Sequence, residues 1–282
     1  MEIWFSEFHT PDVKLSIRVN EHLYTEQTEF QRIDVFDTPE FGRMLIMDEC
    51  MMLTDKDEFV YHEMITHVPM AVHPNVKRAL IIGGGDGGAL RELTRFPSLE
   101  HVDLVEIDEA VVRICREYFP KVACAFDDPR LAIHYADGLK FVRGKVDEYD
   151  LIIVDSTDPF GPGESLFTKE FYGNCYKALK ADGLLVNQME SPYYKAFARE
   201  ARNAYRKTAT LFPIHRLYQA YISTYPSGLW LFGFISKKYD PLKDFDEDRY
   251  SSYGLDTRYY NPDLHRGAFA LPTFVKTLIG DE

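Results

Sequence analysis

Five acidic side chains stand at or just after apolar segments that have the length of buried β-strands. They are Asp86, Glu106, Asp137, Asp155 and Asp158. The carboxyl ends of parallel strands lie along one edge of a sheet, and α/β folds bind their ligands there. A single acid at a strand end is usually a helix cap, but five at four strand ends indicate a functional cluster. Such a cluster favours a positively charged ligand, and one of its carboxylates can remove a proton from a reacting group.

The glycine run at residues 83–88 reads Gly-Gly-Gly-Asp-Gly-Gly and contains the pattern G-x-G-x-x-G. It stands between an apolar segment, 78–82, and a predicted helix, 89–95, which is the opening unit of nucleotide-binding α/β folds. Asp86 is the informative residue, because its carboxylate would repel a pyrophosphate in a low-dielectric site. The loop is therefore predicted to cradle a nucleoside that carries positive charge, and a nicotinamide dehydrogenase is disfavoured.

A sulfonium nucleoside such as decarboxylated S-adenosylmethionine fits these acids. Glu106 stands about twenty residues beyond the loop, where such folds place the carboxylate that binds the ribose hydroxyls. Asp86 suits the amine and the sulfonium, whereas Asp108 is predicted to cap the next helix.

An alkyl amine that attacks this nucleoside needs a base, since its pKa lies near ~10.4 and the protonated form is inert. Asp155, at the end of its strand, is the predicted proton acceptor, and Asp158 can hold the same amine or the distal one. Tyr61 and Tyr225 can flank a methylene chain and add cation–π attraction.

The elements that must position these residues alternate between strand and helix from Arg78 onward, which predicts an α/β fold of the Rossmann-like, methyltransferase type with a doubly wound sheet. Ahead of it, residues 1–56 are predicted to form a small β-hairpin subdomain. Residues 57–282 are predicted to form the catalytic domain, with the C-terminal tail packed on it. The helix that begins near residue 59 is expected to stop near Pro69 or Pro74. Predicted strands lie at 29–36, 43–48, 78–82, 101–108, 131–136, 148–154, 183–188 and 229–236.

The composition is that of an ordinary globular protein, with 282 residues, 45% hydrophobic and 27% charged. The net charge of −13 argues against a nucleic-acid partner and is compatible with steering a cationic substrate. The sequence shows no signal peptide and no membrane span, so a cytoplasmic protein is expected. The four cysteines form no C-x-x-C pair, and His62-Glu63 lacks the second histidine of H-E-x-x-H because Thr66 occupies that position. No metal is expected.

Four separate segments together resemble the spermidine synthases, the polyamine aminopropyltransferases: 57–63, 83–88, 155–162 and 224–228. The resemblance extends from about Trp4 to Pro272. It implies transfer of the aminopropyl group of decarboxylated S-adenosylmethionine, a co-substrate, to putrescine, which gives spermidine and 5'-methylthioadenosine without a further cofactor. It also implies a homodimer or homotetramer.

The resemblance further implies roles for individual residues, with Asp155 as the proton acceptor. The methylthioadenosine part would be contacted by Gln31, Glu106, Asp137, Gly138 and Pro162. The amines would be held by His62, Asp86, Asp155 and Asp158, with Ser156 and Thr157 in the same segment and Tyr61 and Tyr225 along the channel. Residues 159–167 resemble the gating loop of the family. Animal members carry a glutamine that helps to bind the diamine where this chain has Pro192.

Three other functions remain open on the sequence. The first is an aminopropyltransferase for agmatine, cadaverine or spermidine, because acceptor length depends on pocket depth. The second is an S-adenosylmethionine-dependent small-molecule methyltransferase, which Asp86 disfavours because it would repel the cofactor carboxylate. The third, a polyamine or nucleoside sensor without catalysis, is disfavoured by a base at the end of a strand.

Overall fold

A computed structural model describes residues 2–156 and 161–280, with the side chains of 161, 162 and 164 outside the description. The N-terminal part is antiparallel, as predicted. Strand β1 (Ile3–Thr10) pairs with β2 (Val13–Val19), and a four-stranded meander follows. Its strands are β3 (Glu21–Gln27), β4 (Arg32–Thr38), β5 (Gly42–Met47) and β6 (Cys50–Thr54). Asp48 and Glu49 join the last two with φ of 45° and 68°, the positive values that a tight hairpin turn requires.

The remaining chain alternates between helices and strands. Its strands are β7 (Arg78–Gly83), β8 (His101–Glu106), β9 (Leu131–Tyr135), β10 (Tyr149–Asp155), β11 (Leu179–Gln188), β12 (Ile214–Tyr221) and β13 (Leu229–Ser236). Its helices are α1 (Glu58–Val72), α2 (Gly88–Thr94), α3 (Glu109–Tyr118), α4 (Gly138–Val142), α5 (Lys169–Ala178), α6 (Lys195–Ala209), α7 (Glu247–Ser252), α8 (Pro262–Ala268) and α9 (Thr273–Ile279).

The seven strands form one sheet in the order β12-β13-β11-β10-β7-β8-β9. The five from β11 to β9 are parallel, β13 is antiparallel to β11, and the edge strand β12 is antiparallel to β13. The middle residues of the central strands are mostly apolar because both faces of the sheet are covered. Ile81 and Ile153 pack into one hydrophobic layer, and Ile82 and Val154 into the other.

Strand β7 lies between β8 and β10. The strands that follow β7 are added first on one side of it, as β8 and β9, and then on the other side, as β10 and β11, so the strand order reverses at β7. The crevice beyond the carboxyl ends at such a switch point is where open α/β sheets bind ligands. Gly83 and Asp155 are paired in the β7–β10 register, which places the glycine turn beside the end of β10. The predicted Rossmann-like fold thus puts the predicted loop and base next to each other.

Helix α1 shows where local signals and packing compete. It continues through Pro69 to Val72, so only the predicted stop near Pro74 is right. A proline inside a helix costs about 3 kcal/mol, but every residue from Val60 to Val72 is buried, and this packing outweighs the cost. Strand β12 was not predicted. The side chains of Tyr260, His265 and Val275 in the C-terminal tail are buried.

Across residues 2–156 and 161–280, no helix is both long and apolar enough to cross a membrane. No disulfide joins the four cysteines, all of which lie in the described part of the chain; Cys115 and Cys175 are buried, and Cys124 is exposed.

Candidate active site

A cleft opens at the switch point and, together with the space at its mouth, encloses about 1330 Å³. Among the residues that line it are all the predicted site residues that the structure describes with their side chains. They are Gln31, Tyr61, His62, Asp86, Glu106, Asp137, Gly138, Asp155, Ser156 and Tyr225. Thr157 and Asp158 lie outside the described residues, as does the side chain of Pro162.

The glycine turn fits against β10 without room for side chains. The Gly84 N–H donates to the carbonyl oxygen of Asp155 at 2.8 Å, and Gly83 has a φ of +80°. A Cβ on Gly83 would lie well inside van der Waals distance of that same oxygen. Gly85 has a similar constraint, since a Cβ there would lie 2.7 Å from Glu106 Oε2. The absence of side chains therefore lets the backbone approach both acids.

Gly83→Ala is expected to lower the free energy of unfolding by more than the roughly 1–3 kcal/mol that a positive φ costs a non-glycine residue. The backbone clash with Asp155 is added to this strain. Gly144→Ala is the matched control, because Gly144 has a φ of +84° but nothing within 4 Å of the added carbon. Urea unfolding of the two variants measures the difference. Equal losses would show that the turn tolerates a side chain.

Glu106 ends β8 and faces the cleft as a buried carboxylate. Its Oε2 accepts from the Gly85 N–H at 3.1 Å and its Oε1 from the Asp108 N–H at 3.0 Å. Burial raises the pKa of Glu106 to about 7, although these backbone donors oppose the shift. The side chain is thus held rigidly, with its remaining lone pairs available to a ligand with two hydroxyls.

His62, Asp86 and Asp155 form the centre of the cleft, with one polar atom of each lying within 4.8 Å of the others. His62 Nε2 lies 3.3 Å from Asp86 Oδ1, which also accepts from the Gly88 N–H at 2.6 Å. Burial would raise the pKa of Asp86, but His62 lowers it below its ordinary value. Burial and then the charge of Asp86 raise the pKa of Asp155 to about 7. The two acids thus differ in proton affinity, as an ion-binding group and a base do.

Asp155 Oδ2 is buried and has no hydrogen-bond partner among the described residues. The Tyr61 hydroxyl lies near the same carboxylate and opposes the rise of the Asp155 pKa. Three close polar groups also suit a metal ion, but His62 is paired on both ring nitrogens. An imidazole that is protonated on both nitrogens has no lone pair for a metal. An ammonium group, which donates hydrogen bonds, suits the carboxylates better.

Aromatic side chains form one wall of the cleft. The Tyr61 ring lies 6.0 Å from Tyr225, which in turn contacts Trp230 edge-on at 4.8 Å. The Tyr225 hydroxyl donates to the Met52 carbonyl at 2.7 Å, which fixes the ring. Such a wall can flank an alkyl chain and attract its cationic ends.

Three of the residues singled out in the sequence, Asp108, Asp137 and Gly138, shape the backbone around the cleft. Asp108 caps α3, as predicted, and its Oδ2 accepts from Thr28 Oγ1 at 2.8 Å and Gln31 Nε2 at 3.2 Å. Asp137 caps α4 through the Lys140 N–H. A Cβ on Gly138 would overlap with Ile82. Asp137 and Gly138 also border the cleft.

Glu7 and Gln188 also line the cleft, and of the two only Glu7 has no signal in the sequence, since Gln188 lies close to Pro192 in the chain. Glu7 lies on β1, is 7% exposed, and its Oε2 accepts from the Met51 N–H at 2.8 Å. Only a pattern linking the hairpin to the catalytic domain could have revealed it. Pro192 is not among the residues that line the cleft.

Two family models match the chain. The spermidine synthase tetramerisation domain matches residues 3–55, and the spermine/spermidine synthase domain matches residues 58–247. The chain belongs to the spermine/spermidine synthase family. Its activity is that of a polyamine aminopropyltransferase, a transferase of the spermidine synthase type.

Individual relatives agree with this family. A polyamine aminopropyltransferase of Clostridium botulinum is 60% identical over 282 residues, covering 100% of this chain and 99% of the relative. One from Clostridium beijerinckii is 61% identical over 279 residues, covering 99% and 98%. The spermidine synthase of Thermotoga maritima superimposes with a TM-score of 0.94 at 43% identity, covering 99% and 95%. A spermidine synthase in complex with the transition-state analogue AdoDATO gives 0.96 at 45% identity, with the same coverage. The predicted family and fold are confirmed.

Proposed function

We propose that this protein transfers the aminopropyl group of decarboxylated S-adenosylmethionine to putrescine, forming spermidine and 5'-methylthioadenosine. The observation that carries the proposal is the pair Asp86 and Asp155, two carboxylates of unequal proton affinity in one cleft beside a glycine turn. A donor with a free amine and an acceptor amine each find an anion there. The acid at the turn disfavours a methyltransferase, whose donor carries a carboxylate.

In the proposed reaction, the nitrogen of putrescine attacks the aminopropyl carbon next to sulfur. The new C–N bond forms as the C–S bond breaks, and sulfur leaves as neutral methylthioadenosine. Asp155 accepts the proton that the attacking amine loses. A base whose pKa lies near the working pH suits this transfer, and Asp155 with a pKa of about 7 meets that condition. Most of the remaining rate would come from holding nitrogen and carbon in line.

The donor is proposed to lie along the glycine turn, with its ribose on Glu106 and its adenine near Asp137 and Gly138. Gln31 supports this part of the site through Asp108. Residues 161–167 form a 3₁₀ segment, of which Gly163, Ser165 and Leu166 border the cleft. This position supports the proposal that the 159–167 segment gates the site.

The acceptor is proposed to extend from Asp155 along Tyr61 and Tyr225 toward Glu7. Glu7 can pair with the distal amine, a role that Gln188 can share where Pro192 provides no amide. Cadaverine and agmatine remain the alternative acceptors.

The test is to incubate the protein with decarboxylated S-adenosylmethionine and each of putrescine, cadaverine, agmatine and spermidine, and to follow methylthioadenosine release. The highest kcat/KM is expected with putrescine. Release that is fastest with another amine would reassign the acceptor, and no release with any amine would overturn the proposal. Methyl transfer from S-adenosylmethionine itself is the control for the methyltransferase alternative.

Affinity for methylthioadenosine is expected to fall as the pH falls through about 7. Burial raises the pKa of Glu106 to about 7, so the group is ionised above that pH and can accept from both ribose hydroxyls. Below it, the protonated carboxyl loses part of its accepting capacity. Calorimetric titrations from pH 6 to pH 8 measure the trend, and Glu106→Gln should bind more weakly with no such dependence. A pH-independent wild type would remove Glu106 from the ribose site.

The chain is further proposed to form a homo-oligomer through the β1–β2 hairpin. Trp4 and Phe8 share one face of β1 and are 54% and 66% exposed. Exposed aromatic residues of this kind mark association surfaces. Sedimentation equilibrium should show a dimer or tetramer that Trp4→Ser with Phe8→Ser dissociates. Phe274→Ser, which removes an exposed aromatic ring elsewhere, should leave the assembly unchanged. A monomeric wild type would refute the assembly.

A further inference from the structure

A chain of ion pairs leads away from the cleft into the protein behind His62. Glu58 Oε2 lies 2.6 Å from His62 Nδ1, and both side chains are on one face of α1 at positions i and i+4. Arg91 donates to both oxygens of Glu58 at 3.0 Å. Arg91 Nε also donates to Glu92 Oε1 at 2.8 Å. The charges along the chain alternate from Asp86 to Glu92.

Both ring nitrogens of His62 face carboxylates, Glu58 at Nδ1 and Asp86 at Nε2. A neutral imidazole carries one N–H and cannot donate to two acceptors, whereas an imidazolium can. The geometry therefore requires a cation at His62, although its side chain is only 2% exposed. Burial opposes that charge, but Asp86 and then Glu58 raise the pKa of His62 to about 10.

Glu58 is suited to stabilise this cation because the two hydrogen bonds from the Arg91 guanidinium fix the orientation of its carboxylate. Burial would raise the pKa of Glu58, but His62 and Arg91 lower it. Arg91 itself is held from the other side by Glu92. Glu58 thus places a fixed negative charge beside Nδ1 of the imidazole, while Nε2 remains directed at Asp86.

We propose that Glu58, clamped by Arg91, is a positioning residue for aminopropyl transfer, which keeps His62 as an imidazolium beside the two cleft carboxylates. This inference rests on the proposed function. Glu58 contacts no reacting atom and acts through His62.

The charged and titratable groups around His62 explain why its charge matters. Glu58 faces it from α1, Asp86 from the glycine turn and Asp155 from the end of β10, and the Tyr61 ring packs edge-on at 5.6 Å. The imidazolium charge lowers the pKa of both Asp86 and Asp155. Without it, the two carboxylates would repel each other more strongly. Asp155 would then hold its proton to higher pH and would be a poorer base near neutrality.

The first test is an ¹⁵N NMR titration of the histidines in the whole protein, with His62 assigned by its loss in His62→Gln. In the wild type, both nitrogens of His62 should stay protonated through pH 8. In Glu58→Gln, the pKa of His62 should fall by about three units, from about 10 to near 7, so that the imidazolium is partly lost at neutral pH. Glu92→Gln is the matched control, because it removes a buried negative charge that does not touch His62, while the amide oxygen can still accept from Arg91 Nε.

The second test is the pH dependence of kcat/KM for methylthioadenosine release. Its acidic limb should move to higher pH in Glu58→Gln and stay in place in Glu92→Gln, even if both variants lose stability. A wild-type His62 that titrates near its ordinary value of about 6.5 would overturn the proposal. An unmoved limb in folded Glu58→Gln would do the same.

If Glu58→Gln does not fold, the wild-type titration decides alone. If the wild-type protein releases no methylthioadenosine, the proposed substrates are wrong. The histidine titration still tests whether Glu58 keeps His62 protonated.

Discussion

Asp155→Asn is expected to lower the turnover of aminopropyl transfer by about 10²- to 10⁴-fold, the usual contribution of a general base. Asparagine has nearly the shape of aspartate but cannot accept the proton of the attacking amine. The backbone carbonyl of residue 155, which accepts from Gly84, is retained, so the glycine turn should keep its form. Methylthioadenosine affinity, measured by calorimetry, is therefore expected to survive.

The pH dependence of kcat/KM distinguishes the loss of a catalytic base from a change in how the substrates are positioned. Burial and Asp86 raise the pKa of Asp155 to about 7, so the fraction in the ionised, active form increases as the pH rises through that value. The wild-type kcat/KM should follow this limb, and the Asn variant should not. Turnover within a few-fold of wild type would remove Asp155 from the role of proton acceptor.

Asp86→Asn is expected to weaken binding of decarboxylated S-adenosylmethionine by about 10- to 100-fold, the worth of a hydrogen bond to a charged group. Methylthioadenosine should bind nearly as before, because it has neither the amine nor the sulfonium charge. The substitution keeps an oxygen that can accept from the Gly88 N–H, so the turn remains supported. Calorimetry with both nucleosides measures the two losses.

This variant also has a second readout. The charge of Asp86 contributes to the raised pKa of Asp155, so its removal should move the acidic limb of kcat/KM to lower pH. Equal losses of affinity for the two nucleosides would mean that Asp86 shapes the turn and does not recognise the cation.

The parts of the site that follow from local rules could be predicted from the sequence. The glycine turn, Glu106 and Asp155 each stand at the end of an apolar strand, and parallel pairing brings those ends together. Asp108 as a helix cap also follows from its own neighbours. These features depend on residues that are close in the chain or on a fold with few alternatives.

The rest depends on contacts between distant segments. Glu58 looks like an ordinary acid in the first turn of a helix, and its role emerges only when Arg91, 33 residues later, closes on it. Glu7 stands on a hairpin whose distance from the sheet cannot be read from alternation. At Pro69, the packing of a fully buried helix overrides a local signal that favours a break. A local sequence pattern does not give the energies of these contacts between distant segments.

Thr28 and Gln31 donate hydrogen bonds to Asp108, and the Asp108 N–H donates to Glu106, so these contacts connect the β-subdomain to the Glu106 carboxylate in the cleft. A fragment that began at residue 57 would contain all five acids of the predicted cluster and the glycine turn. It would nevertheless lack two of the side chains that orient Asp108. Melting of the N-terminal strands and loss of nucleoside affinity should accordingly occur at one temperature, so that heat inactivates this enzyme in a single cooperative step.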